Sequence, residues 1–190
     1  MSNDDERWTE DIVILRRAAE ELVQRRNHRS ALTKPSNDPF DDIAQSLDDP
    51  SPDVRKKAVR ELYELDPDQA ATLVNDALRA GSPEERRCIG TALADSGLLY
   101  EAIDDLMAEN HESCYGAFSL LFRVAKAGVV KPLITVIEKH PSLDLCLAVI
   151  RLLASSGEPD VAPAFARLAA NVSLPPELRN ALEAASQLIA

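Results

Sequence analysis

The residues in this chain best suited to chemistry fall in a few short stretches. His111-Glu112 lies just ahead of Cys114-Tyr115, and a cysteine needs a basic or cationic neighbour to become a thiolate nucleophile. His111 is one helical turn from Cys114, but no third orienting group and no glycine-rich oxyanion loop accompany the pair. A buried, inert thiol is therefore the expected state of Cys114. The densest acidic cluster is Asp38, Asp41, Asp42, Asp48, Asp49 and Asp53. Paired carboxylates can run acid–base chemistry or hold a hard cation. Asp38 and Asp53 fall at helix starts, where the dipole stabilises negative charge. Asp41, Asp42 and Asp48 fall opposite an apolar face of Phe40, Ile43, Ala44 and Leu47, and no glycine-punctuated calcium loop is present. A solvated acidic face is the reading, with recognition of a basic partner as its second use. Phosphate-cradling, dinucleotide-binding and nucleophile-elbow patterns are absent. No catalytic residue, metal site or cofactor is expected.

These groups must be carried by elements that a chain of 190 residues, 45% hydrophobic and only 4% aromatic, can form. Such a core is built from Leu, Ala, Val and Ile, which favours helices over a sandwich of strands. No apolar run approaches the roughly 20 residues a bilayer requires. The formal charge is -11, from 21 basic and 32 acidic residues. Residues 1–34 balance at seven of each sign, while residues 35–66 hold nine acids and four bases. A phosphate backbone is repelled by such a surface, so the expected partner is a protein, and a basic one suits the charge; neither nucleic acid nor a membrane is expected. Cys88, Cys114 and Cys146 are odd in number and set in apolar contexts, which reads as small buried hydrophobes in a reducing compartment. The acidic opening Met1-Ser2-Asn3-Asp4-Asp5-Glu6 lacks an apolar leader segment, so the cytoplasm is the expected location.

Internal repetition organises the rest. Asp95-Ser96-Gly97, Lys126-Ala127-Gly128 and Ser155-Ser156-Gly157 each close a helix-period apolar stretch, with the glycines 31 and 29 residues apart. A glycine there suits the left-handed turn that ends a helix. Asp38-Pro39, Ser51-Pro52, Asp66-Pro67 and Ser82-Pro83 each place a capping side chain before proline at a first helical position. Ser82 and Glu85 have the spacing of a capping box. These signals divide residues 38–190 into five helix pairs, at about 39–65, 67–96, 98–127, 129–156 and 159–189. The first pair's second helix shows an apolar stripe of Val54, Ala58, Leu62 and Leu65. Its other face is Lys56, Lys57, Arg60, Glu61 and Glu64. The third pair reads Ile103, Leu106 and Met107, then Ala117, Phe118, Leu121, Phe122 and Ala125. Residues 1–37 differ: Trp8, Ile12, Leu15, Ala19 and Leu22 form one face of an amphipathic helix, followed by a linker. That helix suits an end cap or a docking element with Trp8 at its exposed start.

The run Asp49-Pro50-Ser51-Pro52-Asp53-Val54-Arg55, with Ala58 and Leu62, resembles the turn and second helix of a HEAT repeat, in the short bacterial and archaeal variety called phycobilisome-lyase-type. Gly157 to Ala164 resembles that variety's repeat entry. The third and fourth units lack the Val-Arg pair. The resemblance implies an all-α, right-handed α-solenoid of about five HEAT-like helix pairs with an extra N-terminal helix. It also implies that Arg55 bridges to Asp49 or a near neighbour, and that second-helix side chains line a concave face. His-Glu dipeptides on such helices ligate a di-iron centre in deoxyhypusine hydroxylase, but several must converge and this chain has one. The resemblance leaves open a tetrapyrrole-handling lyase and a nucleic-acid-binding protein. The leading expectation is a non-enzymatic scaffold or adaptor that binds a protein or peptide, through Lys56, Lys57, Arg60 and Arg87, with Trp8 as an apolar anchor.

Overall fold

Proline and side-chain caps set the helix starts. The computed structural model of the chain describes residues 39–108 and 110–189. The expected helix and linker of residues 1–37, with Trp8, and the Asp38 cap lie outside the described residues. The helices are α1 (Pro39–Gln45), α2 (Pro52–Leu65), α3 (Pro67–Ala80), α4 (Pro83–Asp95), α5 (Leu98–Asp105), α6 (His111–Lys126), α7 (Lys131–Lys139), α8 (Leu143–Ser156), α9 (Val161–Ala169) and α10 (Pro176–Ile189). A single 3-10 turn, Ser46–Asp48, follows α1, and the described residues contain no strand. Two helices lie in each of the five predicted segments.

The capping chemistry explains these starts. Asp66 accepts the N–H groups of Asp68 and Gln69 at the head of α3. At α4 the capping box is complete: Glu85 N–H donates to Ser82 Oγ, and Ser82 N–H donates to Glu85 Oε2 at 2.7 Å. Ser51 departs from expectation, because its hydroxyl caps nothing. The Asp49 carboxylate takes the Ser51 N–H at 2.8 Å instead, so the turn is made one step before the helix. The helix ends follow the glycine signal. Gly97, Gly128 and Gly157 have φ of 92°, 77° and 67°, a region that penalises any Cβ.

The second helices of successive segments, α2, α4, α6, α8 and α10, pack directly each against the next. Among the described residues the first helices form no comparable row; each packs chiefly on neighbouring second helices. The fully buried side chains follow this arrangement. Val59, Leu62, Leu93, Leu121, Val124, Val149, Ile150, Leu152, Leu153 and Leu182 lie on the row, while Leu99, Leu133, Ile137 and Phe165 reach it from the flanking helices. Of the glycines, Gly90 of α4 has the least room. A Cβ there would stand 2.3 Å from Ala127 Cβ and 2.9 Å from Val129 Cγ2, so glycine is required by space. One buried cation joins the row to a flank. Arg123 of α6, 6% exposed, donates from Nε to Asn75 Oδ1 of α3 at 2.9 Å.

Two apolar expectations are corrected. In α2 the buried face is Ala58, Val59 and Leu62, whereas Val54 and Leu65 are 38% and 56% exposed. The stripe is rotated toward Val59, and its two end members lie outside the contact with neighbouring helices. Met107 falls in the turn beyond α5 and is 49% exposed.

Two glycines give opposite expectations in urea denaturation. Gly90→Ala lowers stability by about 1–3 kcal/mol through overpacking. Gly116→Ala, where a Cβ would meet nothing within 4 Å, raises stability by up to about 1 kcal/mol. A neutral Gly90→Ala would contradict the described approach of α4 to the end of α6.

A pH dependence follows from the capping box. The Ser82 N–H and hydroxyl hold the Glu85 carboxyl below its ordinary value. A carboxyl lowered by folding stabilises the protein above its unfolded value, and that contribution is lost as pH falls through the folded value. Replacing Glu85 with Gln removes this part of the acid dependence, which thermal melts from neutral to mildly acidic pH would read as a flatter profile.

Candidate functional site

The outward stripe of α2 carries Asp53, Lys56, Lys57, Arg60, Glu61 and Glu64. Their spacing of three and four residues sets them side by side along the helix. With Ser96, at the end of α4, they line a surface depression of about 400 Å³. Three of the residues expected to bind a partner, Lys56, Lys57 and Arg60, are thus brought together. Arg87 is exposed on α4 and does not line the depression, and Trp8 lies outside the described residues.

The charges here are balanced. Lys57 pairs with Glu61 at 3.6 Å, and Arg60 Nε donates to Glu64 at 2.6 Å, each one turn along the same helix. Arg60 Nη1 donates to Glu101 of α5, 41 residues away in sequence. The two carboxylates, Glu101 first and Glu64 second, raise the affinity of the guanidinium for its proton. Three cations therefore face three carboxylates in the lining itself, and the expected basic patch is an ion-paired surface of no net charge. The reason lies in the four-residue spacing, which sets an acid beside two of the three cations. Pairs this exposed contribute little to stability. Their groups can exchange partners at little cost, which suits a surface that meets both signs of charge.

A second role of the basic residues is geometric, and the sequence reading missed it. A Cβ placed on Gly97, past the end of α4, would lie 3.8 Å from Arg60 Nη1, and one on Gly128, past the end of α6, would lie 3.9 Å from Arg87 Nη2. Lys126 Nζ donates to the Ser156 carbonyl at 2.9 Å, at the end of α8, and lies 3.7 Å from Glu158. In each case a cation on one second helix reaches the C-terminal end of the next, where the helix dipole is negative. The available signal was the placement of Arg60, Arg87 and Lys126 about 30 to 40 residues ahead of the helix end each one reaches.

The other candidates stand apart. Arg55 Nη1 donates to the backbone carbonyl of Asp49, not its carboxylate, which corrects the expected ion pair. His111 and Glu112 are exposed, and the Glu112 N–H is taken by Asn110 Oδ1 as an ordinary cap. Among the described residues no three His, Cys, Asp or Glu side chains converge as metal ligands. Asp41, Asp42 and Asp48 are exposed, as the periodicity implies. Cys114 is half-buried and its Sγ donates to the Leu106 carbonyl at 3.1 Å. Cys88 is also half-buried, which corrects the expectation of three buried thiols. Cys146 alone is fully buried, and desolvation pushes its thiol above the ordinary range.

A thiol reagent such as Ellman's, at mildly alkaline pH, would reach Cys88 and Cys114 in the folded protein and Cys146 only on unfolding. Rapid modification of all three without denaturant would contradict the packing of α8. No family model matches the chain, and neither a curated protein nor a solved structure does.

Proposed function

We propose that this chain is a non-enzymatic scaffold or adaptor, an α-solenoid of five HEAT-like helix pairs that holds a protein segment against its row of second helices. One observation carries the reading: each second helix packs on the next without interruption. In repeat proteins of this kind small rotations between units create an extended binding wall. The depression on α2 is the contact point assigned to the partner. Its balanced charge suits a peptide that presents both signs, and gives a phosphate backbone nothing to neutralise. Trp8 belongs to the same proposal as an apolar anchor, on sequence grounds. The three free thiols support a reducing compartment, the cytoplasm.

The test is recovery of the tagged full chain from the cell that makes it, beside a variant carrying Lys56→Glu and Lys57→Glu. Both side chains are exposed, so the variant keeps its fold, which circular dichroism verifies. A protein recovered in stoichiometric amount with the unaltered chain should bind the variant about tenfold more weakly. Equal recovery would remove the depression from the reading. A chain that carries no protein in stoichiometric amount would sink the adaptor reading as a whole.

A further inference from the structure

The short helix α5 ends differently from the second helices α4, α6 and α8. The ends of α4, α6 and α8 each receive a cation from a neighbouring helix. The end of α5 carries two carboxylates instead, Asp104 and Asp105, both exposed, and α5 has no basic residue in its last turn. Among the described residues neither carboxylate has an ion-pair partner. Negative charge at the negative end of a helix is unfavourable, so this end is an uncompensated seat for a cation. A separate observation lies on the same helix face. Leu98, Leu99, Ala102 and Ile103 are buried, while Tyr100 and Asp104, four residues apart on the helix, and Met107, in the turn that follows, are exposed. Tyr100 of α5 is 67% exposed, and Met107, in the turn just beyond the helix, is 49% exposed. Aromatic and thioether side chains on an open face are typical anchors for a partner.

We infer that the outward face of α5 docks a basic, amphipathic protein segment. An arginine or lysine of that segment sits against Asp104 and Asp105, and apolar side chains cover Tyr100 and Met107. The charge complementarity selects this occupant. The face offers carboxylates and a helix C-terminus, and its remaining acid, Glu101, is already engaged by Arg60. A cation over the Tyr100 ring adds the attraction of the ring face. The inference rests on the docking reading given above but assigns a different surface, so the two can fail separately.

The probe is a short fluorescein-labelled peptide of leucine and arginine with helical spacing, titrated against the full chain by fluorescence anisotropy. A matching peptide with glutamate in place of arginine is the control. The arginine peptide should bind, and binding should weaken with added salt. Asp104→Asn with Asp105→Asn should weaken it about tenfold, and Tyr100→Ala several-fold. The asparagine variant is expected to be at least as stable as the unaltered chain, because it removes anions from a helix C-terminus, so its loss of binding is not a loss of fold. Glu61→Gln with Glu64→Gln, in the lining of the α2 depression, is the variant that separates the two surfaces. Several results would overturn the inference. Absence of binding is one, and equal binding by the α5 variants is another, since that is diffuse attraction to an acidic protein. Loss of the peptide in the Glu61→Gln, Glu64→Gln variant would move the basic segment to the depression and leave the adaptor reading standing. Self-association abolished by Tyr100→Ala, without peptide uptake, would make a second copy the occupant.

Discussion

The contact between successive second helices is the constraint on which this molecule depends. Each second helix is covered by the next, and the fully buried side chains lie along that row. Gly90 marks how tight that requirement is, because the approach of α4 to the end of α6 leaves no room for a single carbon. The most buried stretch falls where a second helix has neighbours on both sides. In α8, Leu145, Cys146, Val149, Ile150, Leu152 and Leu153 are all excluded from water. In α2, near one end of the described row, the apolar face narrows to Ala58, Val59 and Leu62.

The same constraint explains where the charged side chains go. A row of second helices presents a line of C-terminal ends, each with unsatisfied carbonyls and a negative dipole. Arg60, Arg87 and Lys126 answer this at three successive junctions. Two of those residues are among the ones singled out for partner binding, so one side chain serves both a junction and a surface. Arg60 illustrates the overlap. It is held between Glu64 and Glu101 while lining the α2 depression.

Helix positions were legible in the sequence because their signals are local. Proline after a capping residue, a capping box such as Ser82 with Glu85, and glycine past a helix end act within a few residues of where they stand. Lys56, Lys57 and Arg60 were legible as neighbours for the same reason, being spaced by helical turns. Their charge state was less so, because the stripe was read for its cations while Glu61 and Glu64, one turn on, neutralise two of them. The Arg60 contact with Glu101 and the Arg123 contact with Asn75 were not legible, since each joins residues more than 40 positions apart and depends on how helices are stacked. The rotation of the α2 stripe toward Val59 has the same origin. Periodicity defines an apolar side only to within a residue, and the neighbouring helices decide the rest.

The step-by-step contact pattern also has a kinetic meaning. The most distant hydrogen bond described, between Arg123 and Asn75, spans 48 residues, and the helix contacts otherwise join a pair to itself or to its neighbour. Among the described residues no helix pair packs against one far along the sequence, a contact pattern that favours rapid folding. Order can begin at the most apolar junction, around α8, and spread outward in both directions one helix pair at a time. Contacts of this range let each helix pair gain order against its neighbour without waiting for the far end of the described row.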